Sequence, residues 1–272
     1  MKLIILSARN GAVPALLILA LACLSSPSQA SGAMDQISVT FDAWRDTPAG
    51  PHSPRAVLSY SHNGQFEANQ FGIPSGVQVR ALTRKGDKFL FVPNVTFRKD
   101  GVVFTPRDIV KVLKTGDLEL YKGGASLSLS PPARISALSS WNDEIFIVLD
   151  TTTTLDGKVF TPQDVIRYSN KGHEYYFKGS DFNIPRNTRI MAIEVTTSGR
   201  LIFSFASTLL INETVFRRSD LAQINPHTDD SIVLFAKREA VLGNCFECRV
   251  LGLSIDLNED VIFRTRFYDP WR

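Results

Sequence analysis

The chain has 272 residues, 44% apolar and 21% charged, a composition that suits one large globular domain and excludes disorder, a collagen-like repeat and a multi-span membrane protein. Its 30 basic and 27 acidic side chains give a formal charge of +3, and Lys2 and Arg9 lie in an N-terminal leader, so the rest of the chain is close to neutral. That balance gives no reason to expect nucleic acid or an anionic membrane as a partner.

The leader comes first in chain order. Basic Lys2 and Arg9, the apolar run Ala12–Leu24 and the small residues Ser28 and Ala30 predict a cleaved secretory signal over residues 1–30 and a single mature domain over 31–272. The run is shorter than the roughly 20 apolar residues that span a bilayer, and no later stretch is long and apolar enough to cross one, so no transmembrane anchor is expected once the signal is removed. The product is expected to be exported to the periplasm or beyond the cell. Ala20-Leu21-Ala22-Cys23 offers a second reading, a lipid anchor on Cys23.

After the leader a repeat organises the chain. Phe104-Thr105-Pro106-Arg107-Asp108-Ile109-Val110 recurs as Phe160-Thr161-Pro162-Gln163-Asp164-Val165-Ile166 and as Phe216-Arg217-Arg218-Ser219-Asp220-Leu221-Ala222, each step 56 residues. The units run 35–86, 87–142, 143–198 and 199–258, with 259–272 opening a fifth copy. In the third unit, β-branched and aromatic runs predict four strands: a (Glu144–Thr152), b (Val165–Ser169), c (Glu174–Phe177) and d (Arg189–Thr196). Asn170-Lys171-Gly172 joins b to c and Ser198-Gly199 joins d to the next a, both with hairpin chemistry. The a–b and c–d connections carry Pro106, Pro162, Pro131, Pro132 and Pro185 and are read as loops, because proline has no ladder donor.

Four such units predict an all-β, β-propeller-like fold of about four blades of four antiparallel strands. The alternative is an open stack or sandwich of the same meanders. Val261–Phe267, a copy of strand a, is expected to complete a blade with strands of the first unit, although Ile37–Phe41 copies strand a too and leaves one copy surplus. Ala81, Ala137, Ala192 and Gly252 recur in strand d, where a small residue lets neighbouring sheets approach. Phe104, Phe160 and Phe216 are expected to wedge between units.

Phe-x-x-x-Asp followed by two aliphatic residues, the aromatic pair and glycine of Tyr176-Phe177-Lys178-Gly179, and an Ile-x-Ala-aliphatic strand before a tight turn together resemble tandem repeats of exported bacterial proteins taken to be β-propellers. The resemblance covers nearly the whole mature chain and implies the fold and export without implying an activity. Tyr176-Phe177-Lys178-Gly179 is also similar to a strand of hemopexin-type propellers, but their Tyr-Trp partner strand and closing disulfide are missing, so this is convergence.

Candidate sites are few. Asp108, Asp164 and Asp220 share one repeated position; a carboxylate ring for calcium is one reading, and a turn-fixing side chain just before a strand is the other, favoured because no further oxygen ligands stand at close spacing. Cys245 and Cys248 have the spacing of a redox dithiol or half a zinc site, but with no partner pair they are expected to form a local disulfide in an exported chain. His62, His173 and His227 lie in or beside b–c turns and would share one ring face, as metal ligands or as exposed turn residues. Trp44, Trp141 and Trp271 lie near strand ends, as packing residues or as platforms for a sugar. No serine elbow or phosphate loop is present, and no cofactor or metal is expected. The function expected is a non-catalytic binding module for protein or glycan, with the a–b and c–d loops as its contact surface. The alternative is a hydrolase or lyase whose acids come from different blades.

Overall fold

The computed structural model describes residues 36–47, 50–61, 66–229, 231–237 and 249–256. The first unit contributes β1 (Gln36–Phe41), the short pair β2 (Arg45–Thr47) and β3 (Gly50–His52), then β4 (Val57–Ser61), β5 (Phe66–Asn69) and β6 (Val79–Lys85). The second gives β7 (Lys88–Pro93), β8 (Phe97–Lys99), β9 (Val102–Phe104), β10 (Ile109–Val112), β11 (Leu118–Lys122) and β12 (Ile135–Trp141). The third gives β13 (Glu144–Leu149), β14 (Thr153–Leu155), β15 (Lys158–Phe160), β16 (Val165–Ser169), β17 (Gly172–Phe177) and β18 (Ile190–Val195). The fourth gives β19 (Leu201–Phe205), β20 (Leu209–Ile211), β21 (Thr214–Phe216), β22 (Leu221–Ile224), β23 (Val233–Ala236) and β24 (Val250–Asp256).

These strands build four antiparallel sheets ordered d-a-b-c: β24-β1-β4-β5, β6-β7-β10-β11, β12-β13-β16-β17 and β18-β19-β22-β23. The architecture is a four-bladed β-propeller. Each blade borrows its innermost strand from the preceding unit, so the repeat and the blade are offset by one strand. Ring closure follows from that offset: the last d strand, β24, pairs with β1, with Ile37 opposite Ile255 and Val39 opposite Leu253. The strand expected to complete a blade, Val261–Phe267, is not among the described residues. Ile37–Phe41 already occupies the a position of the first blade, and residues 257–272 lie outside the described residues, as does the signal segment.

The structure corrects the reading of the a–b connections. Each contains a two-stranded hairpin: β2-β3, β8-β9, β14-β15 and β20-β21. The turns Asp100-Gly101 (φ 50 and 81), Asp156-Gly157 (φ 48 and 76) and Asn212-Glu213 (φ 46 and 64) place both central residues in the left-handed region, the pattern of a type I′ turn. Pro106 and Pro162 come after the hairpin, at the second position of a turn in which Asp108 N donates to Thr105 O and Asp164 N to Thr161 O.

The core lies between blades. Phe104 packs with first- and second-blade residues, Phe160 between the second and third blades, and Phe216 between the third and fourth, all at 1% exposure or less. Ala81, Ala137 and Ala192 face the following blade and are fully buried. The carbonyls of Pro54, Pro106 and Pro162 accept from the first amide of the next blade's d strand, Val79, Ile135 and Ile190. Wedges, small residues and these amide bonds fix each sheet against its neighbour.

Candidate functional site

The three repeated aspartates are turn clamps. Asp164 Oδ2 accepts from Thr161 N and Thr161 Oγ1, both at 2.7 Å, and its Oδ1 accepts from Gly179 N at 3.0 Å. Asp108 repeats the arrangement with Thr105 and Gly124 N, and Asp220 Oδ2 accepts from Arg217 N. All three are at most 8% exposed, each inside its own blade. Both carboxylate oxygens of Asp108 and Asp164 thus join the a–b corner to the exit of strand c. The first unit has Ala56 at this position and keeps the turn through the Ala56 N to Ser53 O bond alone.

Among the described residues the histidines do not gather. His62, Cys245 and Cys248 lie outside the described residues. His227 is exposed, its amide bonded to Asn225 Oδ1 and its ring edge-on to Tyr176. His173 is 2% exposed, with Nδ1 2.8 Å from Asp156 Oδ2 and Nε2 3.1 Å from Leu127 O of the preceding blade. Among the described residues no three His, Cys, Asp or Glu side chains converge as a metal site.

Asp156 has a pH consequence. The His173 amide, then its imidazole, hold the Asp156 carboxyl below its ordinary value of 3.8. Asp87 beside Lys114, Asp143 beside Lys85 and Glu174 beside Arg167 are lowered in the same direction by hydrogen bonds to those cations. A carboxyl with a depressed folded pKa adds stability that is complete above its unfolded pKa and is lost as pH falls through the folded one. The melting temperature is therefore expected to be level above the ordinary carboxylate range and to fall below it. In Asp156→Asn that acid slope should be shallower when melts are recorded at stepped pH.

The axis offers a different kind of site. Strands β6, β12, β18 and β24 lie against one another at the centre. At the end carrying the d–a turns, their last residues surround a cavity of about 250 Å³ lined by Arg84, Ser140, Trp141, Glu194, Thr196 and Ser254, among others. Alternation along the d strands places Ser139, Glu194 and Ser254 in register on successive blades. Ser139 Oγ donates to Glu194 Oε2 at 3.1 Å and accepts from Val195 N at 2.9 Å, and Ser254 Oγ accepts from Arg84 N at 3.1 Å. Glu194 is only 6% exposed, whereas Trp141 is half-buried at the rim. A second hollow of about 400 Å³ opens on the same side between Phe71, Phe89 and the Lys114–Gly116 turn. These two concave features thus lie on the side of the d–a and b–c turns, whereas the sequence placed the contact surface on the other.

Of the aspartates and histidines singled out from sequence as candidate ligands, none among the described residues lines the axial cavity. Trp141, read from sequence as a packing residue or a platform for a sugar, does line it. Glu194, Ser254 and Arg84 carried no motif, since Glu194 stands where the other blades have Thr83, Ser139 and Ser254. That break in an otherwise small, neutral register position was the one signal available.

No protein-family model matches the sequence, and comparison with curated proteins likewise gives no match. Among solved structures, a luciferin-regenerating enzyme is 10% identical, covering 67% of this chain and 56% of its own, with a TM-score of 0.34. Virginiamycin B lyase from Staphylococcus aureus is 12% identical, covering 75% of this chain and 59% of its own, with a TM-score of 0.31. A protein of unknown function from Bacteroides caccae is 9% identical, covering 82% of this chain and 99% of its own, with a TM-score of 0.40. The chain thus spans a little over half the length of the first two, and scores of this size carry no functional inference.

Proposed function

We propose that the protein is an exported, non-catalytic binding module, and that its ligand is a glycan seated at the d–a mouth of the ring. The observation that carries this reading is the axial cavity itself. It combines an aromatic rim residue, hydroxyls from three blades and one buried carboxylate, the mixture of apolar face and placed polar groups that orients a small polar ligand. Trp141 would stack on a sugar face while Glu194, Ser140 and Thr196 meet its hydroxyls.

The alternative, a hydrolase or lyase with acids from different blades, has less support. Glycoside hydrolysis ordinarily uses two carboxyl groups about 5 to 9.5 Å apart. Glu194 is the single acid among the described residues lining the cavity. The repeated aspartates that could have supplied a second are occupied by backbone amides, and the Tyr176 hydroxyl, pushed up to about 12 by burial, is no base at neutral pH.

Thermal unfolding of the full chain against a panel of neutral oligosaccharides tests the proposal. A ligand that binds only the folded state at a hundred times its Kd stabilises it by about 2.7 kcal/mol, enough to move a melting temperature by several degrees. One sugar class is expected to give that rise and to be recovered intact afterwards. Cleavage of the sugar, or no rise with any member, would contradict the reading. A chelator is expected to leave the melt unchanged, because Asp108 and Asp164 are satisfied without a cation.

A further inference from the structure

The opposite mouth, on the side of the a–b and c–d connections, holds more cations than acids. The residue preceding strand d is Gln78, Arg134, Arg189 and Arg249 in the four blades, and the residue following strand a donates its amide to that residue's carbonyl. Those following residues are Asn94, Asp150, Ala206 and Asp42. Arg249 therefore has its own acid, with Nε 3.4 Å from Asp42 Oδ2, whereas Arg189 faces an alanine.

Asp150 is contacted by Arg80 and Arg189, and the Arg134 charge acts on Arg80 through space. Arg80, its side chain 17% exposed, has Nη2 3.6 Å from Asp150 Oδ2, and its Nε is buried without a hydrogen-bond partner. Arg189 Nη2 reaches only the Asp150 backbone carbonyl, at 3.4 Å. Arg134 is exposed, and its guanidinium has no hydrogen-bond or ion-pair partner among the described residues. Asp150 Oδ1 is also buried and unbonded, so the acid beside Arg80 is itself not fully used. Burial lowers the Arg80 pKa; Asp150 opposes that, and Arg189 and Arg134 add to it by like-charge repulsion. An uncompensated cluster of this kind is costly in the free protein and is relieved by an anion.

We propose that this mouth is a second binding site, for a doubly charged oxyanion held by Arg80, Arg134 and Arg189. The planar fork of a guanidinium matches two oxygens of a carboxylate or phosphate, and three forks around one point select a compact ligand with more than one negative charge. The site is independent of the glycan mouth, because it lies at the other end of the d strands and shares no residue with it.

Calorimetric titration of the full chain with inorganic phosphate and with citrate, at low ionic strength and neutral pH, tests this against sodium chloride of matched ionic strength. Saturable binding of at least one oxyanion is expected; a response confined to phosphate or to citrate assigns the source of the charge. Arg134→Gln and Arg189→Gln should each weaken binding about tenfold, and the pair more, with circular dichroism unchanged. Trp141→Ala should bind the anion as the parent does. No saturable binding of either oxyanion, or unchanged affinity in a folded Arg134→Gln/Arg189→Gln variant, would overturn the proposal.

Discussion

Gly252→Ala is expected to lower stability by about 2 to 3 kcal/mol, a fall of roughly 5 to 10 °C in melting temperature. A methyl group there would stand 2.5 Å from Leu82 Cβ, 2.7 Å from Thr40 Oγ1 and 2.8 Å from the Leu82 backbone nitrogen. Backbone and Cβ atoms cannot swing away as a long side chain can, so blades one and two would have to separate. The equivalent Ala81, Ala137 and Ala192 hold a methyl at complete burial. The difference is that Gly252 sits on β24, the strand that closes the ring, where Leu82 of the second blade presses against the backbone. Thermal melts of Gly252→Ala beside Ala137→Gly would separate this close approach from the ordinary entropic cost of glycine. An unchanged melt in Gly252→Ala would show that the closing blade is not packed as described.

Asp164→Ala is expected to cost about 3 to 5 kcal/mol. The substitution removes an acceptor from two backbone amides, Thr161 N and Gly179 N, and from the Thr161 hydroxyl, at a site 3% exposed. Donors left buried without partners account for much of that figure. Asp164→Asn keeps one good acceptor and should lose less. Urea denaturation of both variants checks the order, and calcium added to the parent should not shift its midpoint. A calcium-dependent midpoint, or a mild Asp164→Ala, would return these aspartates to the list of ligand residues.

These two positions also show what the sequence could disclose. Asp164 was legible because it recurs 56 residues on either side, and Phe160 and Ala137 were legible for the same reason. Contacts between adjacent blades repeat as the chain repeats, so the interblade wedges and small residues appear at a fixed register. The a–b hairpins were signalled too, by the turn-forming pairs Asp100-Gly101 and Asp156-Gly157, but the nearby prolines led the whole connection to be read as loop. Closure was different in kind. Which of two copies of strand a completes the ring is a pairing between chain ends, and β24 finds β1 across more than 200 residues without a local signal. The axial cavity was least visible of all, since Arg84 and Ser254 meet 170 residues apart and Glu194 breaks the repeat. Sites built from exceptions to a repeat are hidden by the very periodicity that discloses the fold.

The most direct test of a recognition mouth on the d–a side is titration of the parent chain, Trp141→Ala and Glu194→Gln with the oligosaccharide that raises the parent's melting temperature. Glu194→Gln keeps the volume and the hydrogen bond from Ser139 while removing the charge, so it remains informative if loss of Trp141 loosens the rim. Binding is predicted to be lost in Trp141→Ala and weakened in Glu194→Gln, with the Arg134→Gln/Arg189→Gln variant unaffected. Full affinity in both cavity variants would contradict the account and place the ligand elsewhere on the ring.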